Sequence, residues 1–123
     1  MAGTITSVNR TTGSIRECIF TWLSDASGDA TATASTEYYD GEVLKVVIWP
    51  SAVGGLVPTG NYTVTLADGD GLDILCGQGT LTCPAAATLV LTSGLLPIVN
   101  STISLTIAAS GDVTSGIVYV YVR

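Results

Sequence analysis

Apolar and polar residues alternate with a period of two along most of this chain, and no segment carries a helical period. Residues 59–75 (TGNYTVTLADGDGLDIL) show the pattern most clearly. Tyr62, Val64 and Leu66 fall on one face of a strand, and Asn61, Thr63, Thr65 and Ala67 on the other. Asp68-Gly69-Asp70-Gly71 then supplies a turn, because glycine reaches positive φ cheaply and aspartate bonds its own backbone. Leu72, Ile74 and Leu75 resume the apolar pattern, so the stretch predicts a β-hairpin.

The other elements follow by the same reasoning. Residues 15–23 (IRECIFTWL) set Cys18, Phe20 and Trp22 against Ile19, Thr21 and Leu23, and two largely apolar faces predict a central strand. Residues 24–29 read as a turn, and 30–35 as a strand of small residues. Tyr38-Tyr39-Asp40-Gly41 reads as a turn before the β-branched strand 42–50, which Pro50 stops. Loops are expected at 51–59 and at 80–87, and short strands at 88–92 and, around Pro97, at 95–99 as an edge or irregular segment. Residues 101–109 place Ile103, Leu105 and Ile107 inward. In 116–123, Val118, Val120 and Val122 oppose Ile117, Tyr119 and Tyr121, and the last two strands are expected to form a second hairpin. Residues 1–14 are polar and read as an N-terminal arm or edge strand ahead of a domain over 15–123. About eight strands at spacings of roughly 8 to 15 residues predict a single-domain, all-β antiparallel sandwich or small barrel.

Composition changes this picture in one respect. Hydrophobic residues make up 47% of the 123 and charged residues only 11%, against a usual charged share of about 25%. So little charge implies that much of the surface meets other protein. Ten acidic residues face four basic ones, Arg10, Arg16, Lys45 and Arg123, for a net charge of -6. That balance argues against nucleic acid and against anionic membrane as partners. Met1-Ala2-Gly3-Thr4 lacks the basic and apolar regions of a secretory leader, so the expectation is synthesis in a cytoplasm starting at or near Met1.

Candidate chemistry is sparse. Asp68, Asp70 and Asp73 look like the start of a calcium loop, but Gly79 and Thr80 stand where its closing acid belongs, which favours plain turn chemistry. Cys18 reads as a small core residue. Cys76 and Cys83 could pair locally or remain thiols, and cytoplasmic synthesis favours thiols. The sequons at Asn9, Asn61 and Asn100 read as products of a Thr-rich, Ser-rich composition. There is no histidine to activate a serine, Lys45 sits mid-strand, and Gly77-Gln78-Gly79 is too short to cradle a phosphate. No catalytic, cofactor or metal residue is therefore assigned, and the chain is not expected to be an enzyme. Trp22, Tyr38, Tyr39, Trp49, Tyr119 and Tyr121 divide between core or interface roles and a sugar platform, for which Tyr38 and Tyr39 are the better candidates.

The order of segments resembles that of small virion structural proteins of tailed bacteriophages, some of which are head decoration or cement proteins. Residues 21–26 (TWLSDA), the strand 41–50 (GEVLKVVIWP), 58–75 (PTGNYTVTLADGDGLDIL), 77–79 (GQG) and 116–123 (GIVYVYVR) carry the resemblance, which covers about residues 15–123. It implies a compact β-fold without catalytic residues. It also implies a mechanical role on the outer capsid surface of a virion, clamping neighbouring subunits of the major capsid protein, commonly as a homotrimer. A fibre or knob module that binds a host surface glycan through Tyr38 and Tyr39 is the alternative.

Overall fold

A computed structural model describes residues 3–34, 38–50, 62–79, 88–108, 110 and 114–123. The loops expected at 51–59 and 80–87, with Asn61, Cys83, Gly111 and Asp112, lie outside the described residues. Ten strands are described: β1 (Thr4–Thr12), β2 (Ile15–Leu23), β3 (Ala30–Ala34), β4 (Tyr39–Gly41), β5 (Val43–Trp49), β6 (Thr63–Ala67), β7 (Leu89–Leu91), β8 (Ile98–Ser101), β9 (Ser104–Ala108) and β10 (Ser115–Val122). A five-stranded sheet has the order β1-β2-β10-β5-β7, a three-stranded sheet the order β3-β9-β6, and β4 pairs with β8. Every pairing is antiparallel. The all-β expectation holds, and the architecture is sandwich-like.

The inward alternate residues explain why the layers meet. Cys18, Phe20 and Trp22 of β2, Val46 and Ile48 of β5, and Val118, Val120 and Val122 of β10 are all buried. Val64 and Leu66 of β6 and Leu105 and Ile107 of β9 oppose them in the same core cluster. Trp22 and Tyr62 join the layers, their ring centroids 5.6 Å apart and their planes tilted by 50°. Gly116 lies beneath Trp22, and a Cβ there would stand 2.5 Å from the indole and 2.6 Å from the Trp49 carbonyl. Gly41, at φ 141°, brings the backbone against the carbonyl of Arg123 in a conformation closed to other residues. Beside it, the amides and carbonyls of Glu42 and Arg123 pair reciprocally at 2.9 and 3.1 Å and tie down the C-terminus.

Three expectations fail for local reasons. The hairpin after β6 lacks a second strand. Only Ala67 and Asp73 bridge, and residues 74–79 coil into successive turns. The Asp73 carboxylate accepts from the amides of Leu75 and Gly77 and turns the backbone, so that adjacent Ile74 and Leu75 are both buried without a second strand. Tyr39-Asp40-Gly41 is strand β4 and not a turn, because Tyr39 packs into the core while Asp40 accepts from the amide of Asn100. Finally, β9 and β10 are not a hairpin: β9 pairs with β3 and β6, whereas β10 crosses to the other sheet between β2 and β5. Residues 1–14, read as an arm or edge strand, contribute the edge strand β1, hairpinned to β2 from Thr4↔Leu23 to Thr12↔Ile15.

A buried hydroxyl network holds the crossover. The Ser24 amide donates to the Thr114 carbonyl at 2.7 Å, and the Thr114 amide donates to Ser24 Oγ at 2.8 Å. Thr114 Oγ1 donates to Ser110 Oγ at 2.6 Å, and Ser110 Oγ donates to the Gly28 carbonyl at 2.9 Å. Thr114→Val keeps the volume and deletes the hydroxyl that links two buried serines. It is expected to cost about 1–3 kcal/mol, as buried groups lose partners. A chemical-denaturation midpoint equal to that of the wild type would show that the network does not hold the crossover.

Candidate functional site

The register dictates what the five-stranded sheet turns away from the core. Val8 pairs with Ile19, Ile19 with Tyr119, Tyr119 with Val47, and Val47 with Val90. Directly paired residues share a face, so these five side chains form one apolar row across all five strands. The adjacent row runs Thr6, Thr21, Ile117 and Trp49. Val8, Trp49 and Val90 are 56%, 49% and 51% exposed, and Ile19, Val47, Ile117 and Tyr119 are partly exposed. The face is therefore apolar where a sheet that meets water is normally polar.

The row on the other side is charged. Arg10 pairs with Glu17, Glu17 with Tyr121, and Tyr121 with Lys45. Arg10 Nε lies 2.9 Å from Glu17 Oε1, the Tyr121 hydroxyl donates to the Glu17 carboxylate, and Lys45 Nζ stands 4.6 Å from the Tyr121 ring centroid. The register slips between Tyr121 and Val122, leaving Leu44 as the extra residue of a β-bulge. Such a bulge re-aims side chains, and here an open pocket of about 520 Å³ forms with Leu44, Lys45, Tyr121, Arg10, Glu17 and Ile15 in its lining. Nothing in the composition marked this pocket. The signal was the Gly13-Ser14 turn, which makes Arg10 the cross-strand partner of Glu17 once residues 4–12 are read as a strand.

The residues singled out from the sequence do not converge. Asp68 Oδ1 accepts from the amides of Asp70 and Leu72, and Asp73 serves Leu75 and Gly77. Their carboxylates thus act as turn acceptors, and among the described residues no three acidic or cysteine side chains are grouped to hold a metal ion. Cys18 is buried and Cys76 is an exposed thiol, while its suggested partner Cys83 lies outside the described residues. Gln78 reaches across to the carbonyls of Ser93 and Gly94. Asn9 accepts from the Tyr39 hydroxyl, and Asn100 is exposed on β8. The Tyr38–Tyr39 platform does not form. Tyr39 is buried with the Arg16 guanidinium 4.3 Å from its ring centroid, and only Tyr38 faces outward.

No family model, curated protein or solved structure matches the chain.

Tyr121 offers a probe of the pocket. Its pKa lies above the usual tyrosine value, first because burial penalises the phenolate, then because the hydroxyl bonds to Glu17 and feels that carboxylate's charge. A raised folded-state pKa means that the contribution to stability is complete below about pH 10 and is lost as pH climbs through the folded value. Tyr121 should therefore contribute a late component to the titration of phenolate absorbance. Tyr121→Phe should remove that late component, and its persistence would place the shifted hydroxyl elsewhere.

Proposed function

We propose that this chain is a non-enzymatic virion structural protein of a tailed bacteriophage, a decoration or cement protein on the outer capsid surface. In this reading it assembles as a homotrimer and clamps neighbouring subunits of the major capsid protein. The observation that carries the reading is the outward apolar row from Val8 to Val90. Strands about 4.8 Å apart, with the apolar row, the row from Thr6 to Trp49 and the charged row about 7 Å apart, give the outer face an area on the order of 500 Å². Stable interfaces bury about 800 Å² per partner, so the face supplies most of one contact.

Other features support the same reading. The apolar row and the row from Thr6 to Trp49 hold no charged residue, so burying them desolvates no ions. Strand β1 lies at the edge of its sheet and spans nine residues without a proline. A long flat edge of this kind is a template for pairing with another chain unless it is blocked. The segments that resemble phage virion proteins include β5 and β10, whose outward residues build the apolar face. A glycan platform draws no comparable support, since Tyr39 is in the core.

Light scattering at several concentrations tests the assembly, and co-sedimentation with heads built from the major capsid protein of the same genome tests the partner. The expected mass is three times 12.5 kDa, with saturable head binding. Trp49→Arg with Val90→Asp places charge on half-exposed positions and should shift the mass to one chain while leaving the circular dichroism unchanged. A wild-type protein that stays monomeric at every concentration and fails to bind heads would overturn the proposal.

A further inference from the structure

Two of the four cationic side chains of this acidic chain meet in one place. In the pocket beside the Leu44 bulge, Glu17 is only 7% exposed, its carboxylate engaged by Arg10 Nε and by the Tyr121 hydroxyl. What the pocket presents outward is therefore cationic: the rest of the Arg10 guanidinium, on a largely exposed side chain, and the Lys45 ammonium, which rests over the Tyr121 ring. Ile15 and Leu44 supply apolar wall. Among the described residues no acidic side chain stands within ion-pair distance of Lys45. The chemistry that fits is an anionic group next to an apolar one.

The turn after β6 carries that combination. Asp68 folds back onto the amides of Asp70 and Leu72, which throws the Asp70-Gly71-Leu72 tip outward. Asp70 is exposed, and Leu72 is 56% exposed beside it. We infer that this tip seats in the Arg10–Lys45 pocket of a second copy, with the Asp70 carboxylate between the two cations and Leu72 against Ile15 and Leu44. The inference rests on the assembly reading above and deepens it by naming the contact. Tip and pocket are different surfaces of one chain, so the contact is head-to-tail, the type that closes into rings when the rotation allows. The pocket also borders the apolar row, so one interface would take in both.

Charge exchange tests it. Near the concentration at which half the wild type is assembled, Lys45→Glu or Asp70→Lys should each weaken association at least tenfold, and the double exchange should recover most of the loss. Leu72→Ser, at an exposed tip that the core does not use, should weaken association without touching the charge and guards against misfolding of the Lys45 variant. Association should also weaken as salt is raised, because partly exposed charges are screened. A wild type that assembles while Asp70→Lys and Leu72→Ser assemble as well would overturn the contact and leave the assembly reading intact. Single variants that dissociate without recovery in the double would overturn the pairing of tip with pocket. A wild type that never assembles, in solution or on heads, would instead overturn the assembly reading itself.

Discussion

After β9 the chain must leave a three-stranded sheet and enter the middle of a five-stranded one. Everything on the outer face depends on how that crossing is held. A crossover at the end of a sandwich exposes backbone groups to the core, and each unpaired one would cost more than a typical hydrogen bond returns. Ser24, Ser110 and Thr114 meet this demand with hydroxyls that serve as both donors and acceptors. Ser24 follows β2 and Thr114 precedes β10, so the same bonds that satisfy the corner also set β10 against β2. The register that results puts Gly116 under Trp22, in a gap that admits no Cβ. It also sends Ile117, Tyr119 and Tyr121 outward, and shifting β10 by one residue would exchange its two faces.

The strands that were legible from the sequence are those in which one physical signal dominates. In β2, β5, β6, β9 and β10 the alternation of side chains coincides with burial: Ile103, Leu105 and Ile107 lie inside as expected, Val64 and Leu66 share a buried face, and of the two apolar faces of β2 the one with Cys18, Phe20 and Trp22 is buried. Failure came where a local signal was overridden. The apolar run Leu72, Ile74 and Leu75 suggested a strand, but the Asp73 carboxylate turned the backbone, an effect that alternation cannot register. Tyr38-Tyr39-Asp40-Gly41 has the composition of a turn, yet Tyr39 gains more from the core than the turn offers. Two consecutive alternating strands suggested a hairpin, whereas tertiary pairing with β2 and β5 places the second of them in a different sheet.

The surface was less legible than the core for a related reason. A strand with both faces apolar, such as β10, is compatible with burial on both sides or with an outer face kept for another protein. The two cases differ only in what lies across the sheet, and that is a property of topology. The low charge of the chain pointed to protein contact without a location. Register supplied the location, by aligning Val8, Ile19, Tyr119, Val47 and Val90 from strands far apart in sequence. The pocket was still harder to foresee, since it needs a hairpin to pair Arg10 with Glu17 and a bulge to re-aim Leu44.

Apolar row and pocket have different physical competences, and their adjacency matters for that reason. Apolar burial is non-directional and scales with area, so the row can hold a partner without orienting it. A partner could slide along it with little change in energy. Charged groups that also hydrogen-bond are directional, and they contribute more to specificity and orientation than to raw affinity. Arg10 and Lys45 stand one row from the apolar strip, anchored by Glu17 and the Tyr121 ring. That support fixes the positions of side chains that would otherwise sample many rotamers, so less entropy is lost when an anion arrives. The bulge at Leu44 thereby turns a uniform apolar face into one with a defined end, which is what a chain needs if copies of it are to meet in a single register.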